Sequence, residues 1–197
     1  MPGRIVVLIS GTGSNMEALV EACRRGEVPG DVVSVVADRE CEGLGLAEDQ
    51  GIDTILLEPK SFASREEWSE ALRDEVTRFE PDLVVSAGFM RILAPVFVDA
   101  FAGRLINLHP SLLPAFPGAH AVRDALAAGV RVTGTTVHHV DHGVDTGRII
   151  AQGSVDIVPS DDEATLHERI KEVERELLPR VCKQMLEALR GPDGGDG

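Results

Sequence analysis

Asn107 and His109 stand two residues apart in the stretch Asn107-Leu-His-Pro-Ser-Leu-Leu-Pro114, and Asp145 follows His109 by 36 residues (145 − 109). An amide, an imidazole and a carboxylate suit the transfer of a small acyl group between two nitrogens. The attacking amine is its own nucleophile, so no activated serine or cysteine is required. The reaction needs donors aimed at the oxyanion of a tetrahedral intermediate, which an Asn amide and a protonated His supply. It also needs a proton carried from the attacking nitrogen to the departing one, which a carboxylate holding a His or a water can organise. A single Asn or His at a strand end is more often a turn or packing residue. The trio therefore has to be judged by what positions it.

A second chemical feature lies near the amino terminus, where an apolar run ends in Ser10-Gly11-Thr12-Gly13-Ser14-Asn15. Small residues let a backbone approach an anion closely, and the unpaired N–H groups that open the following helix favour a phosphate. The dinucleotide fingerprint would place its third glycine where Met16 stands, although Asp38 imitates the ribose-binding acid of that class. No GxxxxGK[ST] occurs. The loop, Gly11 to Asn15, is read as a monophosphate site.

Apolar runs of strand length alternate with helical patterns, which predicts an α/β fold: a Rossmann-like, mostly parallel sheet with helices on both faces. The strands are expected at Ile5–Ile9, Val32–Ala37, Thr54–Leu57, Leu83–Ser86 and Leu105–Leu108. Helices are expected at Asn15–Arg25, Leu44–Gln50, Ser64–Phe79, Ala94–Phe101 and Ala119–Ala128. Capping boxes are read at Ser14…Glu17, Ser64…Glu67 and Ser160…Glu163. Asn107 and His109 then share one face at a strand's carboxyl end, the edge at which open parallel sheets bind ligands. Beyond Gly129 the rhythm changes. Val132–Asp141 and Arg148–Ile157 flank a short turn and predict an antiparallel β extension, which returns Asp145 to that edge. A long covering helix follows, about Asp162 to Leu189. Leu166, Ile170, Val173, Leu177, Val181, Met185 and Leu189 form its core stripe, and Pro179 is expected to kink it.

The 197 residues suffice for one domain, read as residues 1–190, with a nucleotide-binding half (1–109), a second half (110–190) and a disordered tail at 191–197. A formal charge of −14 argues against nucleic-acid or anionic-membrane partners, which demand a clustered basic face. Three widely spaced cysteines, with no CxxC pair, fit a reducing compartment, the cytoplasm. The run Arg4–Ile9 is too short for a signal peptide and reads as a strand. His138, His139 and His142 invite a metal reading. Adjacent strand residues point to opposite faces, however, so no metal site is expected.

Asn107-Leu-His-Pro-Ser-Leu-Leu-Pro-Ala-Phe-Pro-Gly118, with a downstream Asp in a Val-His-His-Val…Val-Asp-Thr-Gly context, resembles the formyl-tetrahydrofolate-dependent transferases. Within them, Ile9-Ser-Gly-Thr-Gly-Ser-Asn15 and the compact length are similar to the branch that formylates glycinamide ribonucleotide in purine biosynthesis. The resemblance implies 10-formyltetrahydrofolate as cosubstrate, no metal, and Asn107, His109 and Asp145 as catalytic residues. It implies that the ribonucleotide is held by Gly11, Thr12, Gly13, Ser14 and Asn15, with Lys171 and Glu174 reaching it from the last helix. Taken alone, those two would be solvated face residues. It makes residues 110–190 the folate-binding half and places the folate against Met90, Arg91, Ile92, Leu93, Val140, Asp141 and Val144, with Arg91 toward the benzoyl-glutamate. Thr146 and Arg148 stand where many relatives carry Gly and Pro. Sibling readings are a methionyl-tRNA formyltransferase, which would want a basic RNA-binding domain, and a formyl-folate hydrolase, which would carry an amino-terminal regulatory domain. From another class, a non-catalytic nucleotide sensor would need the glycine loop but not the trio. The oligomeric state is left open between a monomer and a homodimer.

Overall fold

In β1 (Gly3–Ile9) every residue but Arg4 is buried, and its side chains alternate between two cores. Ile5, Val7 and Ile9 face one layer, and Val6 and Leu8 face the other. A strand buried on both sides reads as an unbroken apolar run and belongs at the centre of a parallel sheet. The computed structural model, which describes residues 1–189, places it there.

The sheet has seven strands in the order β3-β2-β1-β4-β5-β6-β7. After β1 these are β2 (Gly30–Ala37), β3 (Asp53–Leu56), β4 (Leu83–Ser86), β5 (Leu105–His109), β6 (Val132–His139) and β7 (Ile149–Asp156). The first five run parallel, while β6 is antiparallel to β5 and β7 to β6. The chain winds outward from β1 to β3 and then crosses to β4 on the other side. This leaves a switch point between β1 and β4, whose carboxyl ends open a crevice.

The helices are α1 (Ser14–Arg24), α2 (Glu42–Asp49), α3 (Arg65–Thr77), α4 (Pro95–Ala100), α5 (Ala121–Ala128) and α6 (Glu163–Leu189). On one face α1, α2 and α6 bring Met16, Leu19, Leu44, Leu177 and Val181 to the sheet. On the other, α3 and α4 contribute Trp68, Leu72 and Phe97, with Phe101 just beyond the end of α4. A smaller cluster, Val122, Val155, Leu166 and Ile170, fastens α5 and β7 to α6. The α/β architecture expected from the sequence is thus present, including the antiparallel extension and the long last helix. The proposed tail at 191–197 lies outside the described residues. No helix among those described is long and apolar enough to cross a membrane.

Local details differ from the sequence reading. Ser64 caps α3 as expected, accepting the Glu67 N–H at 3.0 Å. Ser14 does not cap α1. It is the first helical residue, and left-handed Gly13 precedes it with no side-chain cap. The cap of α6 is Asp162 rather than Ser160: its Oδ1 accepts the Thr165 N–H at 2.8 Å, and Thr165 Oγ1 accepts the Asp162 N–H at 2.9 Å. Helix α6 extends from Glu163 to Leu189 with Pro179 inside it. Its buried face drifts from the expected row because a 3.6-residue period does not keep an even four-residue step. Leu178, Cys182 and Leu186 are buried, Val173 and Met185 only half so, and Leu189 is exposed.

Candidate active site

A cavity of about 680 Å³ opens at the carboxyl edge of β1, β4 and β5. Its walls are the glycine loop Gly11–Asn15, the segment Ser86–Leu93, the end of β5 from Asn107 to Pro110, the segment Gly118–Val122, the β6–β7 turn, and the α6 residues Glu163, His167, Lys171 and Glu174. Every residue nominated from the sequence lines this one cavity. A second hollow, about 440 Å³, lies at the opposite edge beside Cys23 and Asp31. Burial, and then the Asp31 charge, push the Cys23 thiol up to about 11, so it offers no ready nucleophile.

The centre of the cavity is a polar cluster. Asn107 on β5 lies directly opposite His138 on β6 in the antiparallel ladder, so both side chains share a face. The Asn107 Nδ2 lies 3.2 Å from His138 Nε2, and the His138 Nδ1 lies 2.8 Å from the His139 carbonyl. His109 differs. Its Nε2 is 2.8 Å from the Phe116 carbonyl and its Nδ1 is 3.3 Å from Asp145 Oδ2. Both ring nitrogens thus face acceptors, an arrangement suited to the doubly protonated imidazolium. Asp145 Oδ1 lies 3.6 Å from His138 Nε2, and its Oδ2 accepts the Gly118 N–H at 2.8 Å. Burial opposes ionisation of Asp145. The contacts from His138 and Gly118 and the charge of His109 outweigh it and hold the carboxyl below its usual value.

The structure therefore brings Asn107, His109 and Asp145 together, and adds His138, which the sequence reading considered only as a metal ligand. Its signal was the predicted antiparallel extension, since one of two adjacent histidines must face the sheet side that carries Asn107. His139 points the other way and accepts from Arg148 Nη2 at 2.9 Å. Among the described residues, no three His, Cys, Asp or Glu side chains are gathered as a metal ion would need.

At one end of the cavity Gly13 has φ of 79°. A Cβ there would meet the Gly43 Cα at 2.8 Å, so the loop and α2 pack backbone to backbone. With no side-chain cap on α1, its first N–H groups remain for a ligand. Asn15 Nδ2 donates to Glu174 Oε2 at 2.7 Å, and Asn15 Oδ1 is buried without a partner. Glu174 is 5% exposed, not a solvated face residue as its position alone had implied. Lys171, one turn before it, is partly buried and ion-paired with Glu168 at 2.8 Å.

The other end is apolar and open. Met90, Ile92 and Val144 are each about half exposed around the mouth, with Leu93 and Val140 behind them. Uncovered apolar side chains beside a cavity suit a flat aromatic ligand. Arg91 is turned toward Asp38 at 2.5 Å, and Arg39 holds the same carboxylate at 3.1 Å. Asp38 is thereby occupied by two guanidinium groups rather than left for a ribose. The turn carrying Asp145 is closed by Asp141 Oδ1, which accepts from Gly143 N at 3.0 Å and Thr146 Oγ1 at 2.7 Å. His142, at its tip, meets Asp99 of α4 at 2.7 Å.

Known proteins resemble this chain in sequence and in fold. Residues 3–182 match the family model described as formyl transferase. The phosphoribosylglycinamide formyltransferase of Mycobacterium tuberculosis is 52% identical over 177 residues, which cover 90% of this chain and 82% of that protein. The protein of the same name from Escherichia coli is 43% identical over 178 residues, covering 90% and 84%. Among solved structures, glycinamide ribonucleotide transformylase 1 from Symbiobacterium toebii superposes with a TM-score of 0.93 at 41% identity, covering 95% of this chain and 89% of that one. A chain matched so fully in sequence and fold, with an amide, an imidazole and a carboxylate converging in its cavity, belongs to the formyl transferase family.

Proposed function

We propose that the chain transfers the formyl group of 10-formyltetrahydrofolate to the amine of glycinamide ribonucleotide, a step of purine biosynthesis. The observation that carries this reading is the convergence of the Asn107–His138 and His109–Asp145 pairs on a cavity that also holds an uncapped glycine loop. Gly11–Asn15 receives the phosphate on backbone N–H groups. Lys171 adds a positive charge, and Glu174 accepts hydroxyl donors of the sugar. The folate ring lies against Met90, Ile92, Leu93, Val140 and Val144, with Arg91 and Asp141 at its polar edge.

In the chemical step the amine nitrogen bonds to the formyl carbon, and the carbonyl oxygen takes up negative charge. The second Asn107 N–H and the His109 Nε2–H, exchanged from the Phe116 carbonyl, stabilise that oxyanion. His138 fixes the Asn107 amide. The carbon–nitrogen bond to the folate then breaks, and the proton lost by the amine passes to the departing nitrogen with Asp145 as its organiser. Products are formylglycinamide ribonucleotide and tetrahydrofolate. The protein's residues supply every charge this sequence of steps needs, and no step calls on a metal.

Residues 1–190 act as one unit, and both halves contribute to each ligand: Lys171 and Glu174 serve the ribonucleotide, and residues 90–93 the folate. The three unpaired cysteines suit the cytoplasm. The test is the absorbance change on mixing protein, 10-formyltetrahydrofolate and glycinamide ribonucleotide, with and without EDTA. The expected result is amine-dependent formation of tetrahydrofolate, unchanged by chelation. Folate turnover without the ribonucleotide would establish a hydrolase instead, turnover only with methionyl-tRNA the sibling transferase, and loss in EDTA restored by zinc or magnesium a metal-assisted route.

A further inference from the structure

Asp145 has φ of 55°. That is the left-handed region, which a residue with a Cβ keeps only where its surroundings impose it. The surroundings are two bonds to a single oxygen. Asp141 Oδ1 accepts the Gly143 N–H before Asp145 and the Thr146 hydroxyl just after it, at 3.0 and 2.7 Å. Thr146 can fold back this far only because Gly143 has no side chain, since a Cβ there would collide with Thr146 Oγ1. Gly147 seals the exit, where a Cβ would run into the His139 carbonyl. The turn is thus pinned from behind, and the Asp145 carboxylate points inward to Gly118 N–H, His109 and His138.

We propose that Asp141 and Thr146 form a clasp that positions Asp145, with the Thr146 hydroxyl as a positioning residue for proton transfer. This rests on the catalytic reading of Asp145. An exposed hydrogen bond contributes little to the stability of the whole fold. A small displacement of a catalytic carboxylate nonetheless costs rate out of proportion, because proton transfer needs hydrogen-bond reach. The clasp therefore acts on turnover rather than on folding. Its own chemistry is specific: position 146 needs a short side chain that both donates a hydrogen bond and fits over Gly143, which serine or threonine supplies and valine does not.

The experiment compares Thr146→Val, Thr146→Ser and Asp145→Asn in the full chain, reading kcat, the ribonucleotide KM and amide hydrogen exchange at Gly143. Thr146→Val should lower kcat roughly fivefold to tenfold, the equivalent of one lost hydrogen bond. The ribonucleotide KM should stay within about twofold, because that ligand lies at the other end of the cavity, and the Gly143 amide should exchange faster. Thr146→Ser should restore both rate and protection. Wild-type kcat in Thr146→Val, or equal losses in the Val and Ser variants, would overturn the clasp while leaving Asp145 in place. Near wild-type turnover in Asp145→Asn would instead overturn the catalytic reading on which the clasp depends.

Discussion

Asn15 of α1 and Glu174 of α6 are joined by a buried hydrogen bond of 2.7 Å across 159 residues of chain. The other Glu174 oxygen accepts from Thr135 Oγ1 at 3.2 Å, and that hydroxyl also lies 3.1 Å from the His109 carbonyl. A single carboxylate thus ties the glycine loop to the strands that carry the polar cluster. Buried charges are retained only where their hydrogen bonds are met. Here the donors come from both ends of the cavity, so the network sets the distance between the two.

Glu174→Ala should destabilise the fold, because it leaves the Asn15 amide buried without an acceptor and the Thr135 hydroxyl with the His109 carbonyl alone. An unsatisfied buried polar group costs about 1–3 kcal/mol, so a loss of roughly 2 kcal/mol should lower Tm by about 4–8 °C. Glu174→Gln should fold almost as well, since Asn15 can turn its amide and offer Oδ1 to the new N–H. It removes the charge offered to sugar hydroxyls, and the ribonucleotide KM should rise about tenfold with the folate KM little changed. A thermal melt and initial rates on the two variants check this. Equal stability of both, or unchanged KM in the Gln variant, counts against the role.

Two glycines in the phosphate loop are not equivalent as probes. Gly13→Val would strain the backbone at φ 79° and strike Gly43, so its effect would report folding. At Gly11 a Cβ would meet nothing within 4 Å. Gly11→Val should therefore leave Tm within about 2 °C while obstructing close approach of the phosphate, raising the ribonucleotide KM and sparing the folate KM. Equal shifts in both constants would make the loop merely structural.

The alternation of apolar runs and helical patterns was enough to place β1, β4 and β5, because strands buried on both faces are written in unbroken Val, Ile and Leu. The trio was legible for the same reason: Asn107 and His109 end one of those strands. Glu174 was not, since its neighbours Glu172 and Arg175 are charged and the apolar row reads through Val173 instead. The spacing Ile170, Glu174, Leu178 does put a carboxylate on the buried face, four residues from an apolar side chain on either side. His138 escaped because its pairing with Asn107 depends on strand register, and the segment between the strands, residues 110–131, hides that register. At Ser14 and Ser160 the sequence matched a capping box, but Gly13 and Asp162 hold the cap positions in the fold.

His139 gives the fold a pH dependence. Burial, and then the positive charge of Arg148 and the neighbouring His138, lower its pKa below the ordinary 6.5. The folded state therefore favours the neutral ring, while the unfolded chain takes up a proton below about 6.5. Where the unfolded state binds more protons, stability rises with pH. Its stabilising contribution is complete above about 6.5 and is lost as pH falls toward the lower folded value. Tm should drop between pH 7 and 5.5, and His139→Phe should flatten that slope. A slope unchanged in the variant would assign the effect elsewhere. Asp38 and Asp145, both held below the usual carboxylate value, act only in stronger acid, where protonation below about 3.8 removes their support.

The catalytic assignment itself is tested by the coupling of His109 and Asp145, 3.3 Å apart. If His109 donates to the oxyanion, His109→Ala should lower kcat with little change in ligand affinity, since the interaction strengthens only in the transition state. Losing one such donor typically costs about 10²–10³ in rate, or roughly 3–4 kcal/mol. Asp145→Asn preserves shape and can keep an acceptor for the Gly118 N–H, but removes the charge that balances the imidazolium and organises the proton. Because each residue acts through the other, their losses should not multiply: the double variant should be scarcely slower than the slower single one. Fully multiplicative losses would show two independent contributions. Turnover near the wild-type rate in either single variant would leave the cavity as a binding site whose chemistry lies in other groups.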